Sequence, residues 1–199
     1  MAHIDFYFAT ISPFTYLCGT RPAELAEKYS HTMTYKPLDI LQLFARTGGT
    51  PPKDRHPNRQ SYRLQELRRR SALTGMPLNE KPAYWPTNSA PSSYAIIAAQ
   101  QAGGGDLSAL LASLTAACWS GEKDIAQDDV IRTCLVDAGF DADVADKGKA
   151  AAADTYAKNL DEAVAKGAFG APFFITDKDE RFWGEDRLAD LEAVLAGQI

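Results

Sequence analysis

The segment IDFYFATISPFTYL, residues 4–17, places an apolar strand directly before the start of a helix. Residues 4–9 alternate in character and are rich in aromatic side chains, which predicts a buried β-strand. Ser12 belongs to the residue types that cap helix N-termini, and Pro13 suits the first helical turn. Folds that carry out redox chemistry on sulfur often place a cysteine at such a turn. This sequence has a serine there instead.

The helix that starts at Ser12 is predicted to run to about Tyr29. Pro22 lies inside it, and proline removes a backbone hydrogen bond and clashes with the preceding turn, so we expect a kink or a break near Thr20. The segment HTMTYKPLD, residues 31–39, gives a second strand. Strand, helix and strand in this order are typical of a β-α-β unit.

The middle of the chain, over residues 41–166, is predicted to be mostly helical. Apolar periodicity and capping residues indicate helices over residues 59–73, 92–102, 107–119, 127–138 and 142–166. Gly167 suits the end of the last of these helices. Strand signals return in residues 171–176, APFFIT, and in residues 181–184, RFWG, with a hairpin turn between them. An amphipathic helix over residues 185–199 follows.

This order of elements predicts an α/β, thioredoxin-like fold that is divided by a large all-helical insertion. We assign residues 1–42 and 167–199 to a discontinuous thioredoxin-like domain, and residues 43–166 to the helical insertion. Strands from both ends of the chain would then meet in one sheet.

The composition is that of a globular protein, with 199 residues, 45% hydrophobic and 24% charged, and a net charge of −5. The negative charge argues against nucleic acid as the main partner, and no apolar run approaches the ~20 residues of a membrane span. The N-terminal segment does not resemble a secretory signal, so we expect a cytoplasmic location. The three cysteines form no C-x-x-C pair, which disfavours a dithiol redox site, and the three scattered histidines suggest no metal site.

Four features of the sequence resemble one protein family: DFYF…SPFTYL, the helical insertion, GAFGAPFF and FWGEDRL. Together they are similar to the 2-hydroxychromene-2-carboxylate isomerases, a DsbA-like thioredoxin-fold family that is related to the kappa-class glutathione transferases. The resemblance covers nearly the whole chain. It implies glutathione as cofactor, a small aromatic or conjugated carboxylate as substrate, and a homodimer as the assembly of its relatives.

By this resemblance Ser12 is the catalytic serine, and it binds glutathione together with Phe14. A helix N-terminus presents free N–H groups and a partial positive charge, which favour a thiolate over a thiol. If the thiol arrives on glutathione, the protein needs only a donor such as the Ser12 hydroxyl. The alternative is that Ser12 is merely an N-cap.

Two later segments are implied to hold the remainder of glutathione. Ala171 precedes Pro172, which we predict to be a cis-proline that turns the backbone groups of Ala171 toward Ser12. An ordinary trans proline at the start of a strand is the alternative. The segment of Glu185, Asp186 and Arg187 is expected to bind the γ-glutamyl end, or else only to cap the final helix.

Substrate binding is expected from Lys53 and Arg55 in a Gly- and Pro-rich loop, where a glutathione carboxylate is the alternative partner, and from the neighbouring pair Tyr84 and Trp85. Each aromatic residue is equally well explained as a core residue. Arg68–Arg70, on the following helix, are predicted to form a solvated face.

The family carries a lysine and an asparagine in the neighbourhood where this chain has Phe44 and the residues 48–50, GGT. The resemblance therefore leaves the substrate open. We expect the three cysteines Cys18, Cys118 and Cys134 to be core residues.

The best hypothesis is a glutathione-dependent isomerase of the 2-hydroxychromene-2-carboxylate type, which acts on an intermediate of aromatic catabolism. The alternatives are a kappa-like glutathione transferase and a non-catalytic thioredoxin-fold binding module. A chlorinated nitroarene substrate would separate the isomerase from the transferase, and glutathione binding would separate both from the binding module.

Overall fold

A computed structural model describes residues 2–199, which contain one four-stranded mixed sheet. The strands are β1 (His3–Phe8), β2 (Thr32–Pro37), β3 (Phe173–Thr176) and β4 (Arg181–Trp183). Their order across the sheet is β2-β1-β3-β4. Strand β1 is parallel to β2 and antiparallel to β3, and β3 is antiparallel to β4. The two ends of the chain therefore build one sheet, as predicted.

The helices connect and cover the sheet. They are α1 (Pro13–Tyr16), α2 (Arg21–Lys28), α3 (Ile40–Thr47), α4 (Pro57–Thr74), α5 (Ala90–Ala102), α6 (Leu107–Trp119), α7 (Asp128–Asp137), α8 (Val144–Ala165) and α9 (Leu188–Leu195). Short 3-10 turns lie at Pro52–Asp54 and Glu185–Arg187. Within residues 2–199, no helix is both long enough and apolar enough to cross a membrane.

The predicted break in the first helix is confirmed, since α1 ends at Tyr16 and α2 begins only at Arg21, with Pro22 in its first turn. The other predicted helices agree with the structure to within a few residues. Helix α3 crosses the proposed boundary between residues 42 and 43, so the division into two domains stays a prediction.

One face of the sheet packs against the helical part of the chain. The β1 residues Ile4, Phe6 and Phe8 are fully buried on this face, and the ring of Phe6 stacks on that of Phe174 with centroids 4.6 Å apart. The same hydrophobic cluster contains residues of α5, α6, α7, α8 and α9. The sheet and the helices α5 to α8, which lie between β2 and β3 in the chain, therefore share this hydrophobic cluster.

The opposite face of β1 carries a charged cluster around Asp5, whose side chain is largely buried. Its carboxylate lies 2.9 Å from the Lys36 ammonium and 2.6 Å from that of Lys166, and Glu162 lies 2.7 Å from Lys36. Burial alone would raise the pKa of Asp5, but hydrogen bonds from Lys166 and Lys36 outweigh it and lower the pKa below 3.8. These pairs attach the end of α8 to the central strand.

Candidate active site

Ser12 lies at the turn between β1 and α1 and is the N-cap of that helix. Its backbone N–H donates to Ala9 O at 2.9 Å, and its Oγ accepts from the Thr15 N–H at 3.3 Å. The hydroxyl also points across the site, where it donates to Ala171 O at 3.4 Å. Helix α1 is only one turn long. The hydroxyl and the first N–H groups, rather than a long helix dipole, are therefore what a bound anion would meet.

The Ala171–Pro172 peptide bond is cis, and the Ala171 carbonyl faces Ser12, so both parts of this prediction are confirmed. Pro172 O accepts a hydrogen bond from the Gly184 N–H at 3.0 Å, which ties the start of β3 to the end of β4. The Ala171 N–H has no acceptor among residues 2–199. This segment thus presents an unpaired donor beside Ser12, as an extended peptide ligand requires.

Glu185 occupies the turn before α9, but its side chain faces the interior. Only 2% of the residue is exposed. Its carboxylate accepts from Arg70 Nη2 at 2.8 Å and from Arg21 Nη2 at 3.1 Å. The solvated role predicted for Arg70 is wrong, because this guanidinium leaves the helix surface to pair with a buried carboxylate. Arg68 and Arg69 instead pair at the surface with Glu80 and Glu66.

Asp186 and Arg187 remain accessible beside this buried pair. Both side chains are about half exposed, and they pair with each other at 3.0 Å. Arg187 also contacts Asp190 at 2.9 Å. Of the three predicted γ-glutamyl contacts, these two present side chains to solvent, while Glu185 can contribute only backbone groups.

The four residues predicted to bind the substrate differ in how far their side chains are exposed to solvent. Lys53 is exposed, whereas Arg55 is half-buried and its Nε donates to Thr50 O at 2.8 Å. Tyr84 is 52% exposed and is not a core residue. Trp85 is half-buried, and its Nε1 donates to Ile11 O at 3.0 Å. Trp85 is therefore fixed to the residue immediately before Ser12.

An apolar cluster packs against α1. Phe14 packs at its edge, together with Trp85 and the fully buried Trp119, whose ring lies 5.6 Å from that of Trp85. The peptide bond between Trp85 and Pro86 is also cis, which the sequence analysis did not predict. Phe14, two residues after Ser12, thus packs in the same apolar cluster as these aromatic residues.

The cysteines are buried core residues, as predicted. Burial raises the pKa of the Cys18 thiol, and it raises that of Cys118 to about 12. Burial also raises the pKa of Cys134. None of the three presents a thiolate to the Ser12 turn, so a thiol that acts there has to come from a ligand.

Sequence analysis did not single out Arg63 on α4. Its guanidinium lies over the ring of Trp85 at 5.2 Å and over that of Trp119 at 6.0 Å. A signal was present, because Arg63 lies four residues before the buried Leu67 and so shares its inward helix face.

Comparison with known proteins agrees with this geometry. Residues 3–196 match the family described as DSBA-like thioredoxin domain. The mixed sheet, the cis-proline opposite a helix start and this match define a DsbA-like thioredoxin-fold protein, so the predicted fold class is confirmed.

Similarities to individual proteins define the family more closely. The 2-hydroxychromene-2-carboxylate isomerase of Sphingobium xenophagum is 31% identical over 96% of this chain and 97% of its own. The protein of that name from Pseudomonas putida is 29% identical over 96% of this chain and 93% of its own. A solved 2-hydroxychromene-2-carboxylate isomerase has a TM-score of 0.77 at 25% identity, covering 98% of this chain and 95% of that one. The chain belongs to the DSBA-like thioredoxin family and, within it, to the 2-hydroxychromene-2-carboxylate isomerase family. The names of these relatives support an isomerase activity.

Proposed function

We propose that this protein is a glutathione-dependent isomerase that interconverts 2-hydroxychromene-2-carboxylate and trans-o-hydroxybenzylidenepyruvate in the cytoplasm. The observation that carries the proposal is the position of the Ser12 hydroxyl, which faces the Ala171 backbone across the site, 3.4 Å from its carbonyl oxygen. Family membership supports the reaction type. The buried cysteines support an external thiol.

The residues around Ser12 fit glutathione. The free N–H of Ala171 and its carbonyl match the pairing pattern of an added strand. Pro172 and Phe14 would flank the cysteinyl unit, and Asp186 is accessible to accept from the γ-glutamyl ammonium group. When bound, glutathione would supply a thiolate that adds reversibly to the conjugated ketoacid and lets its former double bond rotate.

The protein's own contribution is to stabilise charge and to fix geometry. The Ser12 hydroxyl rotates from Ala171 O to donate to a bound sulfur, which favours the thiolate. Asp186 and Arg187 hold the far end of the tripeptide in register with Ser12. Trp85, fixed to Ile11 O, provides an aromatic wall beside the reacting atoms, with Arg55 further out on the loop.

The decisive experiment is an isomerisation assay with protein that has been freed of glutathione. The interconversion is followed by ultraviolet absorbance without thiol, with glutathione, and with S-methylglutathione, which keeps the binding groups but lacks the thiol. We expect turnover only with glutathione. Equal rates under all three conditions would exclude the proposed cofactor.

The same preparation separates the alternatives. Conjugation of 1-chloro-2,4-dinitrobenzene without isomerisation would identify a kappa-like transferase. Failure to bind glutathione in calorimetry, together with no turnover, would identify a non-catalytic binding module.

A further inference from the structure

Arg63 differs from Arg68, Arg69 and Arg70, the three arginines that follow it on α4. Arg68, Arg69 and Arg70 each pair with a carboxylate. The Arg63 guanidinium, in contrast, has no carboxylate within 4 Å and no hydrogen-bond acceptor anywhere in residues 2–199. It is half-buried and lies over the Trp85 ring.

The charge of a second cation, Arg55, acts on the unpaired Arg63 guanidinium. Burial, and secondarily the charge of Arg55, lower the pKa of Arg63 to about 10. Arg55 is itself half-buried, and burial together with Arg59 lowers its pKa. The charges of these two partly desolvated guanidinium groups repel each other, and neither pairs with a carboxylate in residues 2–199, so an anion bound to Arg63 would offset an unfavourable charge.

Arg63 is connected to the Ser12 turn through Trp85. The Arg63 guanidinium lies over the ring of Trp85, and Trp85 Nε1 donates to Ile11 O, so two direct contacts connect Arg63 to the residue before Ser12. A guanidinium presents two parallel N–H groups, which match the two oxygens of a carboxylate. An ammonium group has no such fork.

We propose that Arg63, held against Trp85, is the receptor for an organic carboxylate at the Ser12 site and determines the preference of the protein for carboxylate ligands. The identification of that ligand as the aromatic substrate rests on the proposed function. The glycyl carboxylate of glutathione has the same chemistry and is the other possible source.

The test is calorimetric binding of three ligands, namely trans-2-hydroxycinnamate, its neutral amide and glutathione. The variants are Arg63→Gln, Arg63→Lys and the matched control Arg69→Gln on the same helix. We expect Arg63→Gln to weaken binding of the carboxylate about tenfold or more through loss of a charge-assisted contact. Binding of the amide should be unchanged, and Arg69→Gln should behave like the parent protein.

The glutathione arm identifies the source of the carboxylate. A loss confined to hydroxycinnamate assigns Arg63 to the substrate, and a loss confined to glutathione assigns it to the glycyl end. A folded Arg63→Gln protein that binds all three ligands within twofold of the parent overturns the proposal. If Arg63→Gln does not fold, Arg63→Lys decides, because it keeps the charge and loses the fork. A several-fold loss for the carboxylate alone then supports the proposal, and parental affinity overturns it.

These binding measurements need no turnover. A parent protein that binds hydroxycinnamate through Arg63 but does not isomerise the chromene would therefore contradict the proposed function and leave the carboxylate receptor standing.

Discussion

At the scale of single residues, the Ser12 hydroxyl has two partners, of which a ligand can replace one. It accepts from the Thr15 N–H and donates to Ala171 O over a long 3.4 Å contact. A weak donor contact of this kind is easily exchanged for one to a thiolate. Ser12 therefore combines the role of a helix cap with that of a donor, and the two alternatives from the sequence are compatible.

Ser12→Ala should raise the pKa of the glutathione thiol in the complex, because a donor to the anion is lost. Ultraviolet absorbance of the thiolate, followed against pH, measures this pKa. The loss of the cap should also cost about 1 kcal/mol of stability. Thr20→Ala removes a hydroxyl at the start of α2, whose side chain makes no cap hydrogen bond, and should leave the titration unchanged. An identical titration in Ser12→Ala would reduce Ser12 to a cap.

Asp186→Asn should weaken glutathione binding about tenfold or more, since a charge-assisted hydrogen bond to the ammonium group is lost. Asp190→Asn is a closely matched control, because both carboxylates pair with Arg187 and both are about half exposed. Calorimetry of the two variants compares them directly. Equal affinities in both would remove Asp186 from the site.

At the scale of elements, Glu185 connects three parts of the fold that are far apart in the chain. Arg21 begins α2, Arg70 lies near the end of α4, and both guanidinium groups meet the carboxylate in the turn before α9. This ion group thereby sets the position of Asp186 relative to Ser12. The Glu185 side chain is thereby engaged in this ion group, and a glutathione contact through its backbone stays a prediction.

Glu185→Gln should lower the free energy of unfolding by about 3 kcal/mol, because it leaves two cations around a buried site without their anion. Urea denaturation measures the loss. Glu66→Gln removes an exposed i,i+3 partner of Arg69 and should change little. Equal effects of the two substitutions would mean that the Glu185 group contributes no more than a surface pair.

Local signals were sufficient to predict most elements. The alternation in β1, the Asp106 cap of α6 and the Pro22 break all act within one or two turns of chain. The predicted cis bond at Pro172 depended on family resemblance. The pairing of Arg70 with Glu185 could not be predicted, because it joins residues 115 positions apart. The spacing of Arg63 from Leu67 indicates an inward-facing side chain, but its lack of a counter-ion is a property of the folded chain.

At the scale of the whole molecule, the Asp5 cluster relates stability to pH. The pKa values of Asp5 and Glu162 are lowered below their ordinary 3.8 and 4.5 through Lys36 and Lys166, against the opposing effect of burial. Carboxyls with lowered pKa contribute stability that is present above those ordinary values and is lost as pH falls through the folded ones.

The free energy of unfolding should therefore decrease below about pH 5. Asp5→Asn should cost about 1.5–3 kcal/mol at neutral pH and should flatten this decrease. Asp161→Asn removes an exposed carboxylate from α8, the helix that carries Glu162, and should leave the pH profile unchanged. Urea denaturation at a series of pH values tests both statements, and a parental acid profile in Asp5→Asn would contradict the first.

The central position of β1 also has a consequence for synthesis on the ribosome. Among the described elements β1 is translated before all the others, whereas its partner β3 follows α8 in the chain. Phe6 therefore has no stacking partner until the helical region and Phe174 have been translated. During that time the apolar surface of β1 and the edge that later pairs with β3 stay uncovered. Nascent chains that stop before β3 would expose that edge, and they are the natural clients of chaperones that bind apolar segments.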